Sequence, residues 1–167
     1  TASGIESMIG GAADDTITLA LATVGSTLNG GAGDDTLVGS NGADTLIGGL
    51  GNDYYIVDST VELNSIIDTG GVDTIAVYFD NYTLTSAFES LALQDIAGVY
   101  TGNGDDNNNG ITGNSLNNTL NGGLGNDSID AGLGDDIVFG DHGVIDQDLP
   151  PSVGSLNTVI RIRSEER

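Results

Sequence analysis

Residues 30–56 read GGAGDDTLVGSNGADTLIGGLGNDYYI, which is three nine-residue units end to end: GGAGDDTLV, GSNGADTLI and GGLGNDYYI. Each has glycine at its first and fourth positions, aspartate at its sixth and an apolar or aromatic residue at its eighth. A short fixed period marks a repeat architecture, in which each unit covers its apolar residue only by stacking on its neighbours. The pattern extends outward from this stretch. Residues 10–18 (GGAADDTIT) form a good unit, with Asp15 sixth and Ile17 eighth. Residues 21–29 (LATVGSTLN) form a degraded one that keeps Leu28 but has Ser26 in place of aspartate, and two extra residues separate the two. A second run occupies residues 104–139 as GDDNNNGIT, GNSLNNTLN, GGLGNDSID and AGLGDDIVF. Its sixth positions are Asn109, Asn118, Asp127 and Asp136, and its eighth positions are Ile111, Leu120, Ile129 and Val138. A partial unit, GDHG, begins at Gly140 and then loses register.

Residues 57–103 between the runs differ. DTIAV, NYTL and ESLAL alternate like short strands, and GGVDTI at 70–75 resembles a repeat loop with one residue lost. The only prolines, Pro150 and Pro151, precede SLNTVIRIR, which reads as an edge strand. The expected layout is a first repeat run over 1–56, a β-rich spacer over 57–103, a second run over 104–145 and a tail over 146–167. No segment has a helical pattern longer than about two turns. The chain begins and ends mid-pattern, so it reads as a fragment of something longer.

The glycines explain how such a unit turns. They allow positive φ and close backbone approach, so a six-residue loop can turn sharply and aim several carbonyls at one place. The following three residues make a very short strand with one side chain inward. Two units then complete one coil of eighteen residues, and alternate loops stack on the same side about 4.8 Å apart. Ile17, Leu28, Leu37, Leu46 and Tyr55 are expected to point into one thin core, and Ile111, Leu120, Ile129 and Val138 into another. One large apolar side chain per nine residues offsets less than the entropy lost in ordering those nine residues. Stacked aspartates also repel one another. A hard divalent cation at the loops supplies both missing energy and missing charge. Calcium takes six to eight oxygens from carboxylates and carbonyls in flexible geometry, whereas magnesium demands a strict octahedron and keeps its waters.

Composition narrows the partners. The net charge is −22, from 25 acidic residues against three basic ones, and the basic residues are Arg161, Arg163 and Arg167 at the far end. Nucleic acid and anionic membrane both need facing positive charge and are not expected as partners. High acidity with few aromatics favours a disordered chain in the absence of metal. There is no cysteine, hence no disulfide, no thiolate zinc site and no cysteine nucleophile. No stretch is long enough to span a bilayer as a helix, and the N-terminal TASGIESMIGG has neither the charged nor the apolar region of a cleavable signal.

The units GGAGDDTLV, GGLGNDYYI and GGLGNDSID resemble the RTX calcium-binding nonapeptide repeat, GGxGxDxUx, across roughly residues 1–145. The order GGLGNDYYIVDS, GGVDTI, NYTL, FESLAL, TGN is similar to spacers in large arrays of that family. The resemblance implies an all-β fold, a parallel β-roll with several Ca²⁺ ions between alternate loops, each held by the sixth-position aspartate and glycine-rich carbonyls. Carried over to this chain, Asp35 and Asp53 would be side-chain ligands, with carbonyls from Gly30, Ala32, Gly33, Gly48, Leu50 and Gly51. Asp44 would bind on the opposite face above the degraded Ser26 loop. Asp136 would pair with the loop of Asn118, and Asp127 with GDHG, using the loops of Gly122, Leu124, Gly125 and Gly134. Asn109 and Asn118 offer neutral oxygens without charge. Asp15 depends on how the two-residue insertion is absorbed.

The remaining residues carry simpler readings. Asp14, Asp34 and Asp135, at position five, read as solvated side chains. Outward Thr16, Thr36, Thr45 and Thr119 suit strands. Tyr54, Tyr55, Tyr78, Phe79 and Tyr82 read as cover for roll and spacer. His142, the single histidine, reads as a loop residue, and no G-x-S-x-G turn accompanies it, so no catalytic site is expected. The functional expectation is a calcium-binding structural module of a secreted or cell-surface bacterial protein: a surface layer, an adhesin or a long exoprotein. Family resemblance implies type I export and folding outside the cell. The alternative is the C-terminal secretion and folding domain of a toxin, protease or lipase. Open roll ends suggest end-to-end self-association.

Overall fold

The structure is a computed structural model that describes residues 7–19, 25–40, 42–60, 62–98 and 100–140. The GDHG loop beyond Gly140, His142, the two prolines, the SLNTVIRIR segment and all three arginines lie outside the described residues. The chain divides into two compact units, residues 1–79 and 80–167. Both are built from short parallel strands, and the described residues contain no α-helix, only one 3₁₀ turn at Glu62–Ser65.

In the first unit the strands are β1 (Ser7–Gly11), β2 (Thr16–Thr18), β3 (Thr27–Ala32), β4 (Thr36–Val38), β5 (Thr45–Leu50), β6 (Tyr54–Val57), β7 (Ile66–Ile67) and β8 (Thr74–Val77). Odd strands stack as β1-β3-β5-β7 and even strands as β2-β4-β6-β8, all parallel. Each coil therefore goes up one sheet, through a loop, and back along the other, as a parallel β-roll requires. In the second unit β9 (Tyr82–Thr83), β11 (Thr101–Asn103), β13 (Thr119–Asn121) and β15 (Ile137–Phe139) form one parallel stack. The other holds β10 (Ser90–Leu93), β12 (Gly110–Thr112) and β14 (Ser128–Asp130). The DTIAV, NYTL and ESLAL segments contain strands β8, β9 and β10 of these coils, which bears out their alternation.

Side chains at the eighth repeat position form the core because alternate residues of a strand face opposite sides. Ile17, Leu28, Leu37, Leu46 and Tyr55 are all buried, as are Ile111, Leu120 and Val138, while Ile129 is half-buried. The residues between the repeat runs extend the same columns: Tyr55 pairs with Ile75, and Leu91 pairs with Ile111. Val57, Val77, Tyr82, Leu84, Phe88 and Leu93 complete the interior. Thus Tyr55 and Tyr82 fill cores, whereas Tyr78 is exposed. Glycine is required where coils touch. Gly31 and Gly49 have φ of 114° and 118°, and a methyl on either would collide with the carbonyl of the coil below, Gly11 or Gly31.

Coil length is not constant. Ile17, Leu37, Tyr55 and Ile75 are successive neighbours in one column, at intervals of 20, 18 and 20 residues. The extra residues fall on one edge only. From an odd strand to the next even strand the inward residues are always nine apart, as in Leu28 to Leu37 and Leu46 to Tyr55. From an even strand to the next odd strand they are eleven apart (Ile17 to Leu28, Tyr55 to Ile66) or nine (Leu37 to Leu46). In the second unit, likewise, Leu91 and Gly102 are eleven apart, and Gly102 and Ile111 nine. The eighteen-residue coil is therefore one of two lengths, and the two-residue insertion before Leu28 leaves the opposite edge in register. The register also corrects the reading of GGVDTI. Ile66 pairs with Leu46 and Ile75 with Tyr55, so nine residues separate both inward pairs and nothing has been lost from the loop. The unit begins two residues earlier, at Asp68.

Leu46 is completely buried and Leu50, on the same strand, is 63% exposed. Leu46→Ala should cost about 2–5 kcal/mol in the folded protein, and Leu50→Ala at most about 0.5 kcal/mol. Urea denaturation of the two variants in calcium checks the contrast.

Candidate metal centre

The loops that join odd to even strands in the first unit carry a column of sixth-position aspartates, Asp15, Asp35, Asp53 and Asp73. Each stands two residues before an inward side chain, so the strand register fixes its place. At the loops the strand ladder is interrupted and backbone N–H groups need other acceptors. The aspartates supply them. The N–H of Asp15 donates to Asp35 Oδ1 (2.8 Å), that of Asp35 to Asp53 Oδ1 (2.8 Å), and that of Asp53 to Asp73 Oδ1 (2.7 Å). The exposed fifth position answers in the opposite direction. Asp14 Oδ1 accepts from the Asp34 N–H (2.9 Å), Asp34 Oδ1 from Asn52 (2.7 Å), and Asn52 Oδ1 from Val72 (2.8 Å). Asp14 and Asp34 are thus solvated but not idle, a role their sequence position did not reveal.

This arrangement uses one oxygen each of Asp35, Asp53 and Asp73. The other oxygens of Asp35 and Asp53 are buried with no hydrogen-bond partner, although the residues are 1% and 2% exposed. They sit against the first-position glycines: a methyl on Gly30 would collide with Asp35 Oδ2, and one on Gly48 with Asp53 Oδ2. A buried, ionised and half-partnered carboxylate is costly unless a cation faces it. The described residues contain no lysine, arginine or histidine to do so. Burial raises the Asp53 carboxyl above its usual range, and the negative charges of Asp35, Asp68 and Asp34 add to the rise against the Asp35 N–H. These orphaned hard oxygens fit a hard cation such as calcium.

The carbonyl positions lie on the same edge. Gly30 and Ala32 end β3, Gly48 and Leu50 end β5, and Gly33 and Gly51 follow them. The Gly33 carbonyl stands where a methyl on Gly51 would be, and the Leu50 carbonyl accepts the Gly33 N–H (2.8 Å). The structure therefore brings Gly30, Ala32, Gly33, Asp35, Gly48, Leu50, Gly51 and Asp53 into two adjacent loops, with Asp15 in the same column. Asp44 lies on the opposite edge, where both its oxygens are occupied: Oδ1 accepts from the Ser26 N–H and Oδ2 from the Ser40 N–H, each at 2.8 Å.

In the second unit Asp127 Oδ1 accepts from the Asn109 N–H (2.9 Å) and Asp136 Oδ1 from the Asn118 N–H (2.8 Å). Asp127 Oδ2 sits against Gly122, followed by Leu124 and Gly125, and Asp136 Oδ2 is buried without a partner just after Gly134. The loop paired with Asp127 by sequence lies outside the described residues. Asn109 and Asn118 behave differently from aspartate. Each accepts an N–H of its own loop, from Asp105 or Asn114 (both 2.8 Å), and returns a side-chain N–H to Asp105 (3.2 Å) or Asn114 (2.9 Å). An amide closes this circuit by itself; a carboxylate has no donor with which to close it.

Sequence reading missed two carboxylates. Asp73 precedes Ile75 as Asp35 precedes Leu37, a spacing that could have found it. Asp68 stands where other units have their first glycine, since β7 continues the register that pairs Ile47 with Ile67 and so sets Asp68 level with Gly48. It lies within one cluster with Asp53 and Asp73.

Two carboxylates, one in each unit, contribute pH dependence of opposite sign. In the first, the raised Asp53 carboxyl disfavours the fold when ionised, so stability is present below the ordinary carboxylate range and lost as pH rises through the raised value. In the second, burial opposes ionisation of Asp80, but the N–H groups of Tyr100, Thr101 and Asn81 outweigh it and hold the carboxyl low. That stability is present above the ordinary range and lost as pH falls through the lowered value. In chelator, Asp53→Asn should therefore raise the residual β signal by far-UV circular dichroism at neutral pH, with the gain shrinking at mildly acidic pH. A variant with less β signal than the wild type at neutral pH in chelator would contradict this.

Residues 1–19, 25–55 and 112–143 match the family described as RTX calcium-binding nonapeptide repeat, in four copies. Comparison with curated proteins and with solved structures gave no match. The matched family binds Ca²⁺, the ion for which the orphaned oxygens of Asp35 and Asp53 are suited. The repeats of this chain belong to the RTX calcium-binding nonapeptide family, and the β-roll they build is a calcium-binding repeat module of a bacterial protein.

Proposed function

We propose that this module is a structural part of a secreted or cell-surface protein, such as a surface layer, an adhesin or a long exoprotein, and that it folds on Ca²⁺ after export. The observation that carries the reading is the set of buried carboxylates Asp35, Asp53 and Asp73, each with one oxygen committed to a neighbouring coil, the other, at Asp35 and Asp53, being without a hydrogen-bond partner. Such a set resists assembly while calcium is scarce and assembles where it is plentiful. Extracellular modules of this kind bind with dissociation constants on the order of 10⁻⁴ to 10⁻³ M, and ligand binding that exists only in the folded state is folding energy.

The proposed ligand set in the first unit is Asp15, Asp35 and Asp53 with the carbonyls of Gly30, Ala32, Gly33, Gly48, Leu50 and Gly51. In the second it is Asp127 and Asp136 with the loops of Gly122, Leu124, Gly125 and Gly134. Asp44, already held by two serine N–H groups, is the weakest member. A catalytic role has no support in the roll: its interior columns are filled by apolar side chains. The second reading, a C-terminal secretion and folding domain of a toxin, protease or lipase, places the same module downstream of an enzyme. A catalytic domain encoded before Thr1 would favour it; repeats on both sides would favour the first.

Calcium titrated into the metal-free chain should produce a cooperative rise in β signal by far-UV circular dichroism at sub-millimolar to millimolar levels. Magnesium should not replace it. Full β signal in chelator would overturn the proposal.

A further inference from the structure

One level of the first unit departs from the repeat recipe. Asp53, Asp68 and Asp73 each bring one carboxylate oxygen within 4.8 Å of the others. Asp53 and Asp73 are 2% and 1% exposed, and Asp68 is half-buried. Asp68 follows β7 directly, in the place where the coil before it has Gly48, and neither it nor Asp73 lies in the residues matched by the family. That place matters because the first-position glycines Gly30 and Gly48 lie against the Oδ2 atoms of the inner aspartates. An aspartate there adds a third carboxylate to the edge that already holds two. On a chain with 25 acidic residues a cluster alone would mean little. A second observation points into this one. Asp53 Oδ2 is buried without a hydrogen-bond partner, and it shares the face of Gly48 with the Tyr55 hydroxyl, since a methyl there would collide with both. That hydroxyl donates to Asp68 Oδ1 (2.9 Å), and the Gly70 N–H donates to Asp68 Oδ2 (3.0 Å). The phenol, completely buried, thereby turns Asp68 toward Asp53. Asp53 and Asp73 are fixed in turn by the N–H groups of Asp35 and Asp53.

We propose that Asp53, Asp68 and Asp73 form a three-carboxylate site for a hard divalent cation, with the Tyr55 hydroxyl as the group that positions Asp68, and that it binds more tightly than the two-carboxylate sites of the repeats. This rests on the calcium-module reading above. Ligand charge count sets affinity in oxygen sites, and low surrounding dielectric enlarges the effect of each added charge. A hydrogen-bonded outer partner that holds a ligand in place adds to it. Three negative charges also suit a trivalent lanthanide.

Terbium titrated into the full chain tests this, because the chain has no tryptophan and tyrosine is the sensitiser. The first equivalent should give tyrosine-sensitised emission that calcium displaces and that Tyr55→Phe cuts by more than half. In calorimetry, Asp68→Asn should weaken the tightest class of calcium binding at least tenfold while the calcium-induced β signal and the weaker sites remain. Wild-type affinity for the first calcium in Asp68→Asn, or undiminished first-equivalent emission in Tyr55→Phe, would overturn the inference and leave the repeat sites standing. Absence of any calcium response in the wild type would overturn the module reading and this inference together. If Asp68→Asn gave no β signal at saturating calcium, the terbium comparison of wild type with Tyr55→Phe would decide.

Discussion

The structure depends on a reciprocal exchange between neighbouring coils at their loops. A sixth-position aspartate takes an N–H from the coil before it, while a fifth-position side chain takes one from the coil after it. Asp34 and Asp35 show both halves: Asp34 Oδ1 accepts from Asn52, and Asp35 Oδ1 accepts from Asp15. The same exchange recurs in the second unit, where Asn108 accepts from Asn126 and Asp127 accepts in return from Asn109. It replaces the strand ladder where the chain turns, so no run of backbone donors is abandoned at the edge. It also explains the Asx-Asx pairs at positions five and six: both residues must carry a short side-chain oxygen.

The inner half of that exchange is what ties the fold to a cation. An amide at position six satisfies itself, because it has both a donor and an acceptor to spend within its loop, as Asn109 and Asn118 do. At Asp35, Asp53 and Asp136 a carboxylate in the same place leaves one buried oxygen without a hydrogen-bond partner, whereas at Asp44 the Ser40 N–H takes it up. On the calcium-dependent folding proposed above, levels built on asparagine would hold together without metal, and the levels of Asp35, Asp53 and Asp136 would wait for it. The second unit has both kinds, Asn109 beneath Asp127 and Asn118 beneath Asp136, whereas the column from Asp15 to Asp73 is aspartate throughout. Dependence on calcium would then be graded by level.

Much of this was legible in the sequence. The nine-residue period specified inward residues, strands and loop edges, because each follows from backbone geometry repeated without variation. Ile17, Leu37 and Tyr55 needed only their position in the unit. The aspartate column needed little more, since Asp15, Asp35 and Asp53 precede those residues by two. Two features resisted. The opposing ladder through Asp14, Asp34 and Asn52 depends on the direction in which neighbouring coils are offset, which a one-dimensional period does not contain. Asp68 was hidden by the glycine pair at 70–71, which looks like the start of a unit and is its third and fourth positions. Only the pairing of β5 with β7 shows where that unit begins. Its meeting with Asp53 also needs the hydroxyl of Tyr55, thirteen residues earlier, and no local pattern encodes that.

The unequal coils give the roll one edge of fixed length and one of free length. Nine residues always separate the inward positions across the edge that carries Asp35 and Asp53, whereas nine or eleven cross the other. The fixed edge serves as the gauge of the stack, and the free edge as a place where sequence can be added without shifting phase. Foreign loops grafted between β2 and β3 or between β6 and β7 would hang from the roll as ornaments on a scaffold. The same graft between β3 and β4 would break the gauge.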